Sequence, residues 1–477
     1  MSAHAIKLLT RPLEAKIAFF CQTKVGSVPY IDCMKLTYHP HSFLNTALVA
    51  FSLLAGGTPL YAAAAHEPSP APAPSLTAPA APAAAADAAS DEDSPRQQRL
   101  LIRENLLYTP DQVAGYKRKI QERYGTQWVM NASYALWSPH RIRPVVDHTY
   151  QLLQGFFLFC QPIIPSRDGG TWVVAELYGA CDIPRFNKRH YNALQGGLGA
   201  AANPSRGAWK GASVDILELA LMQYMASGRA CVLAGVLDFS CQFDAVRIAN
   251  SPVGNFSNDA FVNSTILPLP ECNLGCLAQV ELTPSDYLQF GYTNIGCKPG
   301  DNPFSDSNRK GFVAMAEYGH YFKYPSTAFR ITPFLLGNRY RSKGLSHRHN
   351  IGFNVGMEWA PNDVAEFFVR TGWAARQELG NAFDFSLGTR LHFFSSRPQD
   401  FLGLAAAIIK GRAPYVETLE DGATLPGHHR EYVLEGVYSF GLARGLKVVP
   451  HAQLVLDPSY RHVPCETILG VQLTYTF

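Results

Sequence analysis

The stretch "HNIGFNVGMEWAP", His349 to Pro361, decides the fold. Ile351, Phe353, Val355, Met357 and Trp359 alternate with Asn350, Gly352, Asn354, Gly356 and Glu358. A period of two is the mark of a β-strand, whose successive side chains leave on opposite faces. Two other stretches repeat it. In "AFDFSLGTRLHFF" (382–394), Phe383, Phe385, Leu387, Leu391 and Phe393 alternate with Asp384, Ser386, Gly388, Arg390 and His392. In "AEFFVRTGW" (365–373), Phe367, Val369 and Trp373 oppose Glu366, Arg370 and Gly372. Half-buried strands of a soluble sandwich would also alternate. The polar face here, however, carries charge at mid-strand, at Glu358, Arg370 and Arg390, and aromatics gather toward strand ends, at Trp359, Trp373, Phe393 and Tyr475.

Working outward, strand-like segments fall at 127–138, 149–160, 170–180, 213–224, 229–239, 276–283, 286–295, 310–322, 326–338, 349–360, 365–375, 382–394, 400–411, 430–442, 446–457 and 466–477. That series is too long for one sandwich. An even set of antiparallel strands with one apolar face predicts an all-β, transmembrane antiparallel barrel of about 16 strands. Closure also removes the open sheet edge that lipid cannot satisfy. The connections "LTPSDY" (282–287) and "YFKYPST" (321–327) are tight and suit periplasmic turns. "FLLGNRYRSKGLSHRHN" (334–350) and "VETLEDGATLPGHHREY" (416–432) are long and polar and suit external loops. The last segment, "ETILGVQLTYTF", alternates to the final Phe477 and is expected to pair with the strand at 127–138.

The part before the barrel reads differently. "MKLTYHPHSFLNTALVAFSLLAGGTPLYAAAA" has a charged start, an apolar core too short to span a bilayer as a helix, and small residues for cleavage. Residues 34–64 are therefore expected to be a signal peptide cleaved near Ala62–Ala65, with 1–33 an upstream extension and Met1 or Met34 as the start. Residues 65–95 are Pro/Ala-rich and expected to be a disordered linker. Within 96–126, Thr109 can cap a helix, Pro110 suits its first position and Gln112 follows three residues after the cap. Val113, Tyr116, Ile120 and Tyr124 form one stripe. A short periplasmic helix of about 110–124 is predicted, either packed on the barrel mouth or self-associating. The barrel domain is 127–477.

A net charge of +3 and a pI near 8.2 lack the dense basic character of a nucleic-acid binder. Of ten cysteines, Cys160, Cys181, Cys231, Cys241, Cys272, Cys276, Cys297 and Cys465 follow the expected signal. Export permits disulfides, and one among Cys241, Cys272, Cys276 and Cys297 is expected. No CxxC pair appears, so neither a metal nor another cofactor is expected.

The longest connection, 239–275, carries Asn250, Asn255, Asn258 and Asn263 interleaved with Phe256 and Phe261. Its aromatic content argues for order, and a loop folded inward would narrow the lumen. Asparagine amides bond sugar hydroxyls in either direction, and aromatic faces suit the C–H face of a sugar ring. By strand parity, Glu218, Asp238, Glu317, Arg330, Glu358, Arg370, Arg390, Glu435, His451 and Gln453 are candidate lumen groups.

Several stretches together resemble the carbohydrate-selective porins of the OprB type. "ILELALMQYMASGRACVLAGVLDFSCQFDAVRIANS" is similar to that family's strand pair and the entry to its inward loop, including Glu218, Asp238, Asp244 and Asn250. "NFSNDAFVNSTILPLP" resembles the loop, and residues 430–477 its last three strands, including Glu435 and Gln453. The resemblance implies a sixteen-stranded outer-membrane pore passing mono- or small oligosaccharides by diffusion. The implied site is pore-lining: Asp244, Asn250, Phe256, Asn258, Phe261 and Asn263 with the lumen groups above. Expected partners are outer-membrane lipid and lipopolysaccharide, small sugars, the assembly machinery acting on Phe477, and other copies in a homotrimer; nucleic acid is not expected. A general or anion-preferring porin and a structural or adhesion barrel are the alternatives. An enzyme is not expected, since no Ser–His pair or metal-spaced histidine set is readable, and 96–126 is too short for the plug of an energy-coupled transporter.

Overall fold

The computed structural model describes residues 111–140, 150–166, 169–182, 193–205, 212–251, 253–298, 301–305, 310–323, 327–338, 348–376, 380–394, 397, 400–418 and 422–477. The upstream extension, signal peptide, linker, Thr109 and Pro110 lie outside the described residues.

The strands are β1 (Gln127–His140), β2 (Tyr150–Ser166), β3 (Gly169–Asp182), β4 (Ala212–Met225), β5 (Ala230–Leu237), β6 (Asn273–Glu281), β7 (Asp286–Ile295), β8 (Gly311–Lys323), β9 (Thr327–Asn338), β10 (His349–Trp359), β11 (Ala365–Ala374), β12 (Phe383–Leu391), β13 (Phe401–Lys410), β14 (Val416–Thr418), β15 (Thr424–Pro426), β16 (Glu431–Ala443), β17 (Leu446–Leu456) and β18 (Cys465–Thr476). All but β14 and β15 form one closed barrel in which each strand pairs antiparallel with its neighbours, and β18 returns to β1. β14 and β15 make a separate hairpin inside the connection from β13 to β16.

The faces are inverted relative to a water-soluble protein. On β10, Ile351, Phe353, Met357 and Trp359 are exposed, whereas Asn350, Asn354 and Glu358 are buried. β11 repeats this with Phe367, Val369 and Trp373 outside and Glu366 and Arg370 inside. A continuous apolar outer wall is costly in water and stable in hydrocarbon, so this wall faces lipid. No helix among the described residues is long and apolar enough to cross a membrane; the crossing elements are strands. Short turns such as 226–229, 282–285 and 444–445 lie at one end, with the C-terminal Phe477, and the long connections lie at the other.

Most strand limits match the alternation closely. β2 runs further, to Ser166, through Pro162 and Pro165. Its ladder with β1 stops at Cys160, so this extension pairs only with β3, with a register shift between Pro162 and Ile164. Proline lacks the N–H needed by an interior strand but is tolerated on an unpaired side. The β6 strand starts at Asn273, three residues before the expected limit.

Helix α1 (Asp111–Tyr124) leads into β1. Its expected apolar stripe is only partly covered: Tyr116 and Tyr124 are exposed. Contacts with the barrel include Lys117, which is buried with its ammonium 4.7 Å from the Trp128 ring centroid, and the Tyr124 carbonyl, which accepts from Gln161 Nε2 (3.1 Å).

Candidate functional site

The connection between β5 and β6, residues 238–272, folds into the barrel. Two short helices organise it, each begun by a side-chain cap. Asp238 Oδ1 accepts from Ser240 N at the start of α3 (Phe239–Gln242), and Asn258 Oδ1 accepts from Ala260 N at the start of α4 (Asp259–Val262). Phe239, Phe243, Phe256 and Phe261 are fully buried. The wall leaves room for this packing at glycines. A Cβ at Gly291 would stand 2.8 Å from the rings of both Phe239 and Phe243, and one at Gly372 would stand 2.2 Å from Ile266 Cδ1.

A loop inside a barrel must satisfy its backbone away from bulk water. Here the wall's polar side chains do so. Asp244 N donates to Glu317 Oε2 (2.8 Å), Arg247 N to Glu358 Oε2 (2.8 Å), and Gly254 N to Gln472 Oε1 (2.9 Å). Ser257 N and Asn258 N both donate to Glu435, at 3.0 and 3.1 Å. Thr265 N donates to Asp384 Oδ2 (2.6 Å). Arg370 reverses the polarity: its guanidinium donates to the carbonyls of Phe261 and Val262. Asp244 is the hub. Its Oδ2 accepts from Ser264 N (2.6 Å), and its Oδ1 accepts from Asn354 Nδ2 (3.1 Å) and faces Arg370 Nε (3.1 Å). Burial pushes the Asp244 carboxyl up, to about 6, against the pull of Arg370 and the Ser264 amide.

The residues singled out from the sequence therefore occupy three kinds of place. Glu317, Arg330, Glu358, Arg370, Glu435, His451 and Gln453 are on the inner face, as parity predicts, but lie buried in contacts among themselves or with the loop. Arg330 donates to Glu358 (2.6 Å), His451 Nδ1 is 2.9 Å from Glu435, and Gln453 Nε2 donates to Ser257 Oγ (2.8 Å). Within the loop, Asn250 and Asn263 donate to the Ser240 carbonyl, Asn258 donates to Gln453 Oε1, and Phe256 packs on Phe261 and Phe368. These asparagines hold the loop's own shape. Arg390 belongs to a third group, a partly exposed cluster. It donates through Nε to Glu366 (2.8 Å), which also accepts from Arg247 (2.6 Å) and lies 3.2 Å from His392 Nε2. Glu218 and Asp238 stand apart at the root of the loop and are buried.

Two features escaped the sequence reading. Arg247, Glu366 and His392 complete the Arg390 cluster. Parity placed Glu366 and His392 inside, but nothing in strand spacing brings the loop residue Arg247 to them. A second inward segment, 193–205, was also unseen. It holds α2 (Ala193–Leu198), and it packs beneath the first loop: Ala201 N donates to Glu431 Oε2 (2.6 Å), Asp259 N to the Asn203 carbonyl (2.9 Å), and Gln453 Nε2 to the Pro204 carbonyl (2.8 Å). Its small, glycine-rich sequence offered no aromatic signal of order.

The expected disulfide is absent: Cys272, Cys276 and Cys297 carry free thiols, so no pair can form within that quartet. Cys276 is exposed on β6, whereas Cys272, which precedes the strand, and Cys297, which follows β7, are buried.

A closed barrel with an inward loop pinned by wall charges is a porin-like arrangement, and the comparisons with known proteins agree. Residues 322–477 match the carbohydrate-selective porin family, OprB. The matched stretch runs from the end of β8 through β18, and so bears out the OprB resemblance of the last strands. Among solved structures, Pseudomonas putida OprB at high pH is similar over 76% of this chain and 97% of its own, with a TM-score of 0.61 and 13% identity. An engineered Rhodopseudomonas blastica porin aligns over 74% of this chain and all of its own, at 12% identity and a TM-score of 0.45. An uncharacterised protein of Aquifex aeolicus is 29% identical over 174 residues, 34% of this chain. The chain spans about half, 51%, of that relative's length. At the identity seen with OprB, the shared property is the fold: a closed antiparallel barrel.

Proposed function

We propose that the chain is an outer-membrane channel through which mono- or small oligosaccharides diffuse, with selectivity set by the 238–272 loop. The observation that supports this most is the Arg247–Glu366–Arg390–His392 cluster. Most of the inner wall's other charges lie buried, and these side chains keep 12–32% of their surface exposed. Guanidinium groups donate to sugar hydroxyls and carboxylates accept from them, and opposed charges across a narrow passage orient polar solutes. The buried set, Glu317, Glu358, Arg370, Glu435 and Gln453, acts on passage indirectly by fixing the loop. On this reading the short-turn end with Phe477 faces the periplasm, Phe477 is the address read by the assembly machinery, and the barrel belongs to a lipid and lipopolysaccharide membrane.

The test is single-channel conductance in planar bilayers with graded mono- and disaccharides. Current is expected to fall with sugar concentration, and the block should weaken in Arg247→Ala and Arg390→Ala. An ion current unchanged across the sugar panel would replace this reading with a general porin, and anion preference without sugar block with an anion-preferring one.

A further inference from the structure

Helix α1 meets the barrel on its outside. β1 pairs with β18 and with β2 without a register shift, so its side chains keep one parity throughout. Ser133 and Trp137 point inward: Ser133 stands opposite Gln154 and Thr474, and the Trp137 ring lies 5.0 Å from the His451 ring. Trp128 therefore points outward, opposite Phe159 and 6.1 Å from the Phe157 ring. That is the lipid-facing side of the wall. Lys117 lays its ammonium over this outer ring, so α1 stands beside the rim rather than across the mouth.

The junction with β1 holds the helix there. Gly125 takes φ +68°, the left-handed turn that ends a helix, and its N–H donates to the Gln121 carbonyl (2.7 Å). A Cβ at Gly125 would stand 2.6 Å from Pro162 Cγ. Gln161 accepts from Thr126 Oγ1 and donates to the Tyr124 carbonyl. The helix is thus tied to the β2 extension, where Ile163 and Ile164 are exposed. Phe477 N–H is held by the Met130 carbonyl, two residues from Trp128. The helix therefore lies at the level of the wall's last aromatics, where a barrel meets the membrane surface.

The free side of α1 is basic and aromatic. Its 14 residues include four Lys or Arg against one Asp and one Glu. Lys117 is taken up against Trp128, while Arg118, Lys119 and Arg123 are exposed beside the exposed Tyr116 and Tyr124. Among the described residues no carboxylate pairs with those three exposed cations. We propose that α1 docks on anionic phospholipid headgroups of the leaflet at the short-turn end. Arg118, Lys119 and Arg123 meet phosphodiester oxygens, and Tyr116, Tyr124, Ile163 and Ile164 enter the boundary between headgroups and acyl chains. A second copy of the chain fits less well, because two such helices would bring like charges together. The docking rests on the lipid-facing wall and does not depend on which solute the channel passes.

The test uses the full chain in nanodiscs that hold a single copy, made of phosphatidylglycerol or of phosphatidylcholine. Each is digested briefly with trypsin, and cuts after Arg118, Lys119 and Arg123 are followed by mass spectrometry. In phosphatidylglycerol these cuts are expected to be at least ~10-fold slower than in phosphatidylcholine. Arg229 and Arg444, exposed in short turns at the same end, should be cut at similar rates in both. Salt at about 1 M, where the screening length falls to about 3 Å, should remove the protection. Tyr116→Ser keeps all three cleavage sites and should weaken it. Equal cutting of α1 in the two lipids, or equal protection of Arg229 and Arg444, would overturn the docking. Protection by glycerol phosphate added to phosphatidylcholine discs would overturn it in favour of a soluble phosphate site. Protection only in discs holding two copies would overturn it in favour of self-association.

Discussion

At the residue scale, single side chains hold the loop down. Glu435 accepts from Ser257 N, Ser257 Oγ and Asn258 N, and touches His451 and Gln453. Removing it strands several buried donors at once, and breaking a buried charged network costs about 3–5 kcal/mol. Glu435→Ala is expected to leave the barrel closed but free this part of the loop. Single-channel conductance should rise and sugar block weaken, with an unchanged gel shift between boiled and unboiled samples. Gly372→Val should act likewise from the other side, because its first added carbon collides with Ile266. Asp244 gives a pH dependence. Its carboxyl is raised from an ordinary 3.8 to about 6, so the folded loop holds the proton more tightly than the unfolded chain does. The stability from this group is full below 3.8 and is lost as pH rises through about 6. The charge state follows the same titration: as pH falls through about 6, Arg370 loses its carboxylate partner and the lumen gains net positive charge. Reversal potentials in a salt gradient should shift toward anions across that range, and Asp244→Asn should show no such step.

At the element scale, the loop is a distinct body laid on a finished wall, so its removal should be tolerated better than removal of any strand. Replacing residues 253–263 by a short Gly/Ser linker removes α4, Phe256 and Phe261 but no strand residue. The expected outcome is a stable barrel with larger conductance and no sugar block. The same separation explains what could be read from sequence. Strands such as β10 and β11 were legible because lipid on one side and polar lumen on the other force a strict alternation, visible at Phe353 against Asn354 and Val369 against Arg370. Parity could place Glu317, Arg370 and Glu435 inside. It could not tell an open lumen from one filled by residues 193–205 and 238–272, because that burial comes from chain remote in sequence. The intraloop bonds of the asparagines were hidden for a related reason: Asn250, Asn258 and Asn263 have the chemistry for sugar, and their amides also bond the loop's own backbone, its helix cap and Gln453. The start of β6 at Asn273 was missed because "ECNLG" gives no clear alternation.

At the scale of the whole molecule, the C-terminal strand closes the seam, and the proposed address at Phe477 is separable from that closure. β18 pairs along β1 and along β17, with Leu473 opposite Tyr134 on one side and Val448 on the other. Both of its edges are used, in contrast to the part of β2 that tolerates Pro162 because its β1 side is unpaired. A proline at 473 removes a ladder donor where no solvent can replace it, a loss of about 3 kcal/mol or more by analogy with a helix interior. Leu473→Pro is therefore expected to block formation of the heat-modifiable species even when purified chain is refolded directly into detergent. Phe477 lies past the last rung, held by its N–H to the Met130 carbonyl (2.8 Å) and by its ring against Tyr475. Deleting it leaves the ladder intact, so the truncated chain should refold in detergent and still shift on boiling. In cells the same deletion should deplete the barrel from the outer membrane if the last aromatic is the assembly address. Refolding failure after deletion of Phe477 alone would mean that it belongs to the closing seam, and normal membrane levels would remove the address role.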